Sequence, residues 1–258
     1  MTSLAAKATA LLDLHTAPEL LKVVNVWDVI TAKVVADVEG TKALATASHS
    51  IAASYGYPDG ERIPVDLMIE AVGRIAAAVD LPVTADLEGG YGDAGETVRK
   101  AIGVGVVGAN LEDQMKPLSE SVAAVEAAMK AGEAEGVTFV LNARTDAFVK
   151  AGDRDPAEVL ADAITRGKAY LDAGAPVVFV PGRLDEAAVE ALVEAFGPRR
   201  LTVIGAPGSL PLARLEALGV ARVSYGPFSQ RVALTALQDL VLDVVAGGGL
   251  PEDTRPLN

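Results

Sequence analysis

Pro82-Val-Thr-Ala-Asp-Leu-Glu-Gly-Gly-Tyr-Gly92 is an apolar run that ends in two carboxylates and then breaks into glycines. In a strand, residues i and i+2 point to one side, so Asp86 and Glu88 can converge on a single point. Glycines at 89, 90 and 92 suit a tight turn whose backbone lies close to a ligand. Acids at a strand end opening into such a turn fit a hard-cation site. They also fit an ordinary solvated strand exit, and the rest of the chain must decide.

Working outward, the same grammar repeats. After an amphipathic helix over 3–14, apolar strands are expected at 21–27, 43–47, 82–88, 106–113, 138–145, 176–180, 201–204 and 221–225. Helices are expected after each, through 38, then over 64–79, 94–102, 119–135, 155–172, 185–196, 211–218 and 228–246, with a turn-rich loop at 52–62 and a tail after the last. Proline at 64 and the Asp155-Pro156 pair are helix-start signals. Apolar, β-branched strands alternating with helices imply a parallel sheet covered on both faces. Eight βα units in 258 residues, with no composition shift, predict a single-domain (β/α)8 TIM barrel spanning 1–258. No glycine-rich dinucleotide fingerprint follows the first strand, which argues against an open doubly wound sheet.

A net charge of −13 argues against nucleic-acid or acidic-membrane partners. The chain has no cysteine, which excludes disulfides, zinc–thiolate sites, iron–sulfur clusters and cysteine nucleophiles. The first 21 residues carry Asp13, His15 and Glu19 among apolar residues, unlike a signal peptide or a membrane span, so a cytoplasmic protein is expected.

In a barrel the chemistry sits at the C-terminal strand ends. Those ends carry Trp27-Asp28, Ser48-His49-Ser50, Asp86 with Glu88, Glu112-Asp113, Arg144-Thr145-Asp146, Pro181-Gly182-Arg183, Gly205 to Gly208, and Tyr225-Gly226. Asp86, Glu88, Glu112 and Asp113, on adjacent strands, would repel strongly without a cation between them. Mg²⁺ held by one or two of these carboxylates, with water and substrate oxygens, would relieve that. Arg144 can then grip a substrate carboxylate with its planar fork, or instead pair with Asp146 or Glu112 as a structural bridge. His49 fits a catalytic group or a hydrogen-bonded core histidine, while Asp113 and Asp146 read as supports for their neighbours. Glycines 205, 208 and 226 lie where barrels often bind phosphate, though glycine also serves ordinary turns. No strand segment ends in a lysine for Schiff-base chemistry, Lys116 being the nearest, and no histidine pair has zinc-ligand spacing. What remains is a metal that polarises an oxyacid and stabilises enolate charge.

Five motifs carry a resemblance. They are Asn25-Val-Trp-Asp28 with Ala32; Ala47-Ser-His-Ser50 with Tyr57-Pro-Asp-Gly60; the 86–92 stretch; Leu111-Glu-Asp113; and Ala143-Arg-Thr-Asp146. In this order and on these strands they resemble the isocitrate lyase / phosphoenolpyruvate mutase superfamily. The resemblance implies a barrel whose C-terminal helix is exchanged between subunits, usually giving a dimer of dimers. It implies Mg²⁺, with Mn²⁺ able to substitute, ligated by Asp86 with Asp59, Glu88 and Glu112 around it. It further implies that Arg144 and the backbone at Ala47, Ser48 and His49 hold the carboxylate and oxo groups of a 2-oxo acid. Members cleave or form C–C or P–C bonds next to that group.

Two departures shape the expectation. The lyases for isocitrate and 2-methylisocitrate carry a catalytic cysteine in a Lys-x-Cys-Gly-His segment after the fourth strand, where this chain has Gln114-Met-Lys-Pro-Leu118. Those two activities are therefore not expected. The phosphonate members carry a longer lid there, and a short one leaves water easier access. The expected activity is an Mg²⁺-dependent lyase acting on a small 2-oxo carboxylate by C–C cleavage or decarboxylation, with Asp59 or His49 as the proton-transfer candidates. The alternatives are phosphonomutase or phosphonopyruvate-hydrolase chemistry, and a non-catalytic protein that binds metal and oxyacid.

Overall fold

The computed structural model describes residues 2–257. Helix α1 (Leu4–Thr16) precedes β1 (Leu21–Val23) and β2 (Asn25–Val26), then α2 (Val29–Ala36), β3 (Leu44–Thr46), α3 (Ser48–Ser54) and α4 (Val65–Ala77). Next come β4 (Val83–Asp86), α5 (Ala94–Gly103), β5 (Gly108–Glu112), α6 (Leu118–Ala134), β6 (Val140–Arg144) and α7 (Pro156–Asp172). The chain finishes with β7 (Val177–Phe179), α8 (Glu186–Phe196), β8 (Leu201–Ile204), α9 (Leu212–Ala217), β9 (Arg222–Ser224) and α10 (Phe228–Val245).

All strand pairs are parallel, in the order β1-β9-β8-β7-β6-β5-β4-β3-β2. The two ends of this order are successive segments of one strand, interrupted only at Val24. Leu21–Val23 pairs with β9 and Asn25–Val26 pairs with β3, so the first strand closes the sheet on itself. The expected eight-stranded barrel is thus present, its first strand broken where it hands over from one neighbour to the other. A second difference lies at 48–54, expected as a strand exit and the start of a loop but folded as the short helix α3.

The helices form where apolar spacing and caps agree. Asp28, Asp93, Asp155 and Asp185 each accept a backbone N–H at a helix start, a cap worth about 1 kcal/mol. Helix α4 turns Met68, Ile69, Val72 and Ile75 onto the strands, each such side chain contributing about 1.5–3 kcal/mol. Helix α1 plugs the N-terminal end of the barrel. A Cβ on Gly108 would lie 2.9 Å from Leu11 Cδ2 and 2.6 Å from the Val140 carbonyl oxygen, so only glycine admits the plug there.

The interior carries a polar ladder. Asn142 donates to Asn110 Oδ1 at 2.7 Å and accepts from the Thr202 hydroxyl at 2.7 Å. Asn25 donates to the Thr46 carbonyl and accepts from the N–H groups of Tyr225 and Gly226, tying β2 to the end of β9. Arg222 is wholly buried, and none of its three guanidinium nitrogens has a partner among the described residues. Burial lowers its pKa to about 10, against the pull of Asp86. His15 is also buried and is held neutral, its pKa lowered to about 3 by burial and then by Arg222.

Helix α10 behaves unlike the others. Of its side chains only Gln230 is buried, while Val232, Leu234, Leu237, Val241 and Leu242 are exposed. Among the described residues no helix is long and apolar enough to cross a membrane.

Candidate active site

The parallel register stacks the C-terminal strand ends into one layer. Glu112 pairs in register with Arg144, Arg144 with Phe179, and Asp86 with Asn110, two residues below Glu112. Together they open onto a cavity of about 1040 Å³ that Ser48, His49, Asp59, Asp86, Glu88, Glu112 and Arg144 all line. Every candidate residue except Ala47 lies on the wall of this cavity. Ala47 is committed elsewhere: its N–H donates to the Val26 carbonyl and its carbonyl accepts from the Ile51 N–H.

Asp86 stands at the tip of β4 facing the start of α3. Its Oδ2 accepts from the Ser48 hydroxyl at 2.7 Å and from the Ser48 N–H at 3.2 Å. The Thr46 hydroxyl accepts the Asp86 N–H, fixing the strand tip from the adjacent strand.

Glu88 reaches the same cavity by a different route from the one expected. β4 ends at Asp86, and Glu88 has φ +51°, so strand alternation does not place the two acids side by side. The turn does it instead. Glu88 accepts from the Tyr91 hydroxyl at 2.8 Å and from the Glu61 N–H, while Glu61 in turn accepts the Tyr91 N–H at 2.6 Å. The loop carrying Asp59 is thereby latched to the glycine turn. Burial raises the Glu88 pKa, with Tyr91 and the Glu61 N–H offsetting part of the shift.

Glu112 and Arg144 meet at 2.8 Å, and Arg144 also donates to Asp146 at 2.8 Å. The structural-bridge reading of Arg144 is thus realised without removing it from the cavity wall, where its side chain is 21% exposed. Burial works against the Arg144 charge, but Glu112, Asp146 and Asp86 outweigh it and keep the guanidinium charged. Glu112 is pushed up to about 7, by burial first; Arg144 opposes this, while Asp146, Asp86 and Glu88 add to it. One guanidinium shared between two acids does not neutralise this half of the mouth.

His49 lies 3.4 Å from Asp59 with its side chain 43% exposed, so it is not a core histidine. Asp113 is a support: its carboxylate accepts from the N–H groups of Met115 and Asp146 and from the side chains of Tyr170 and Arg166. Tyr170 and Arg166, both on α7, were missed in the sequence. Their one signal is four-residue spacing on a helix face, which many structural pairs share. The link between β5 and α6 is five residues, 113–117, which leaves no room for a long excursion there.

The donor set bears on a metal. Among the described residues no three His, Cys, Asp or Glu side chains converge as a ready-made cage. A cation that keeps most of its waters and takes one or two carboxylates needs no such cage. Asp86 and Glu112 supply hard oxygens of that kind on neighbouring strands, in a region with more negative than positive charge.

Comparison with known proteins agrees with the motifs. Residues 11–245 match the family described as phosphoenolpyruvate phosphomutase. An uncharacterized protein of Mycobacterium tuberculosis is 30% identical over 93% of this chain and 90% of its own. A crystal structure from Burkholderia cenocepacia J2315, described as a candidate phosphonomutase, is 39% identical with a TM-score of 0.86, covering 93% of this chain and 98% of that one. Oxaloacetate acetylhydrolase in complex with the inhibitor 3,3-difluorooxalacetate is 25% identical with a TM-score of 0.86, covering 98% and 92%. The chain belongs to the phosphoenolpyruvate phosphomutase family, within a superfamily of lyases and mutases.

Proposed function

We propose that this chain is an Mg²⁺-dependent lyase acting on a small 2-oxo carboxylate, by C–C cleavage or decarboxylation. The observation that carries this reading is the gathering of Asp86, Glu88 and Glu112 on the wall of one cavity, with Arg144 beside them as counter-charge. Glu112 is raised to about 7 by burial first, with Asp146, Asp86 and Glu88 adding to the shift against the pull of Arg144, and a cation would relieve the acid part of it. Asp86 and Glu112 would hold the cation, with Glu88 and Asp59 beside it. When bound there, Mg²⁺ would polarise the 2-oxo group and stabilise the enolate that bond cleavage leaves.

The protein's own groups do the rest. Arg144, held by Asp146 through Nε and by Glu112 through Nη1, would turn its remaining donors to the substrate carboxylate. The Ser48 hydroxyl and N–H fix the orientation of Asp86. His49 and Asp59, 3.4 Å apart on the cavity wall and both well exposed, would be the groups that move a proton to or from the reacting carbon. The missing cysteine argues against isocitrate and 2-methylisocitrate as substrates.

The test is a panel of oxaloacetate, acylpyruvates and 2-methylmalate-type acids with Mg²⁺, read by pyruvate release, with and without chelator. Asp86→Ala should abolish both metal affinity and turnover; full retention of both would show the site to be elsewhere. The likeness to the Burkholderia protein favours phosphonate chemistry as a second reading. Phosphorus NMR on phosphoenolpyruvate and phosphonopyruvate separates the two, since only P–C chemistry moves the signal between phosphate and phosphonate shifts.

The exposed apolar stripe of α10 supports assembly through that helix. A second copy of this chain exchanging α10 would cover it, in a dimer or a dimer of dimers.

A further inference from the structure

Among the described residues Arg222 is the largest fully buried side chain, and none of its guanidinium nitrogens has a partner. A buried cation without a counter-charge costs stability. Violations of this kind are tolerated mainly where function needs them. The placement of Arg222 ties it to the cavity at the barrel mouth.

Arg222 opens β9 and Ser224 ends it, so the two side chains point to the same side of the strand. Ser224 lines the cavity, which puts Arg222 beneath its floor, about 7 Å down the strand. The register partner of Arg222 is Thr202, whose hydroxyl begins the ladder through Asn142 to Asn110, and Asn110 also lines the cavity. From below, α1 brings up His15, whose Nδ1 donates to the Leu11 carbonyl at 2.8 Å. Burial first, and then Arg222, keeps that imidazole neutral, so the plug supplies no counter-charge. Burial works against the guanidinium charge, while Asp86, on the cavity side, supports it without touching it.

The positive charge is thus fixed in place and felt through the floor. In a low-dielectric interior it is screened far less than a surface charge would be. On the cavity wall, Asp86, Glu88 and Glu112 stand together, while Arg144 commits donors to Glu112 and Asp146. An anionic 2-oxo acid entering beside three acids is repelled unless further positive charge offsets them. Arg222 supplies such charge without occupying the cavity. We infer that Arg222 is a positioning residue for the substrate, a buried positive charge under the floor that favours an anion in the cavity and disfavours metal without one. This inference rests on the metal and 2-oxo acid reading given above.

The test uses calorimetry on the whole protein and its R222M and R222Q variants. It measures affinity for Mg²⁺ alone, and for oxalate and pyruvate at saturating Mg²⁺. Both variants remove the charge, and R222Q keeps a polar side chain. Each should bind Mg²⁺ more tightly and both anions more weakly, whereas a packing defect would weaken metal and anions together. Pyruvate, with one charge, should lose roughly three- to tenfold, the effect of a unit charge across about 10 Å at an effective dielectric of about 25–50. Oxalate, with two charges, should lose about the square of that factor. Metal and anion affinities falling together, neither moving, or equal loss for the two anions overturns the role of Arg222 and leaves the metal site standing. Opposite shifts in R222M and R222Q overturn it too, as does loss of the fold in both, which would show a guanidinium compensated in place. Failure of the unaltered protein to bind oxalate with Mg²⁺ overturns the metal reading, and the inference with it.

Discussion

Replacing Glu112 with glutamine keeps the shape of the side chain and removes its titration, and the consequence is a change in how stability depends on pH. In the metal-free protein the Glu112 carboxyl is raised from 4.5 to about 7. The folded state therefore holds this proton more tightly than the unfolded chain. The resulting stabilisation is present in full below about pH 4.5 and is lost progressively as pH rises to about 7. The gap between the two values, at 1.36 kcal/mol per pH unit, amounts to about 3 kcal/mol. With 16% of its side chain exposed, Glu112 needs little discount for solvent screening.

Urea unfolding in chelator, at intervals from pH 4.5 to 8, measures the difference between E112Q and the unaltered chain, in which the other carboxylates largely cancel. E112Q should gain relative stability by about 3 kcal/mol across that window and level off above pH 7. Parallel curves would show that Glu112 ionises normally and that its burial does not raise it. The same proton must leave before the carboxylate can ligate, so Mg²⁺ affinity of the unaltered chain should climb with pH up to about 7 and then flatten.

Two further outcomes follow from buried and exposed groups outside the mouth. Arg222→Met removes a wholly buried cation without partners and should raise unfolding stability by about 1–4 kcal/mol in denaturant titration, whereas destabilisation would show that the guanidinium is well solvated in place. Val241→Asp puts a charge on the same α10 stripe as the exposed Leu237 and should split the assembly in sedimentation velocity, an outcome that requires the unaltered chain to be larger than a monomer.

Much of the fold was legible because it is built from one repeated signal, an apolar strand followed by a capped helix. Signals departing from that pattern were read less well. Val24 interrupts the first strand through its changing neighbours, which no local pattern encodes. Ser48-His-Ser50 are weak helix formers, yet α3 begins there because Asp86 accepts the Ser48 N–H. Arg222 sits in a stretch read simply as an apolar strand, and nothing in its neighbours marks it as interior. At the candidate site, residue types at strand ends picked out Asp86, Glu112 and Arg144, which line one cavity because a barrel brings its strand ends together. Glu88 was found for an insufficient reason: alternation fails once the strand has ended, and the turn returns the side chain to the cavity.

The segment 113–117 bears on the outcome of the reaction. Gln114 and Met115 are consecutive non-glycine residues with φ +51° and +58°, a conformation that costs energy and persists only when its surroundings hold it. They are held on both sides. Asp113 accepts the Met115 N–H and its own carbonyl accepts the Lys116 N–H, while Lys150 donates to the Gln114 carbonyl. A link this short and pinned at this many points cannot swing across the mouth as a lid. The other loop at the rim is latched to the glycine turn through Glu61, Glu88 and Tyr91. With these two loops fixed, Arg144 and Glu112 keep the partial exposure seen here, and water would retain access to a substrate bound beside them. Chemistry that protects a transferable group from water is disfavoured in such a mouth, and reactions completed by a proton or a water molecule are favoured. That is the physical ground for ranking C–C cleavage and decarboxylation above phosphoryl migration in this chain.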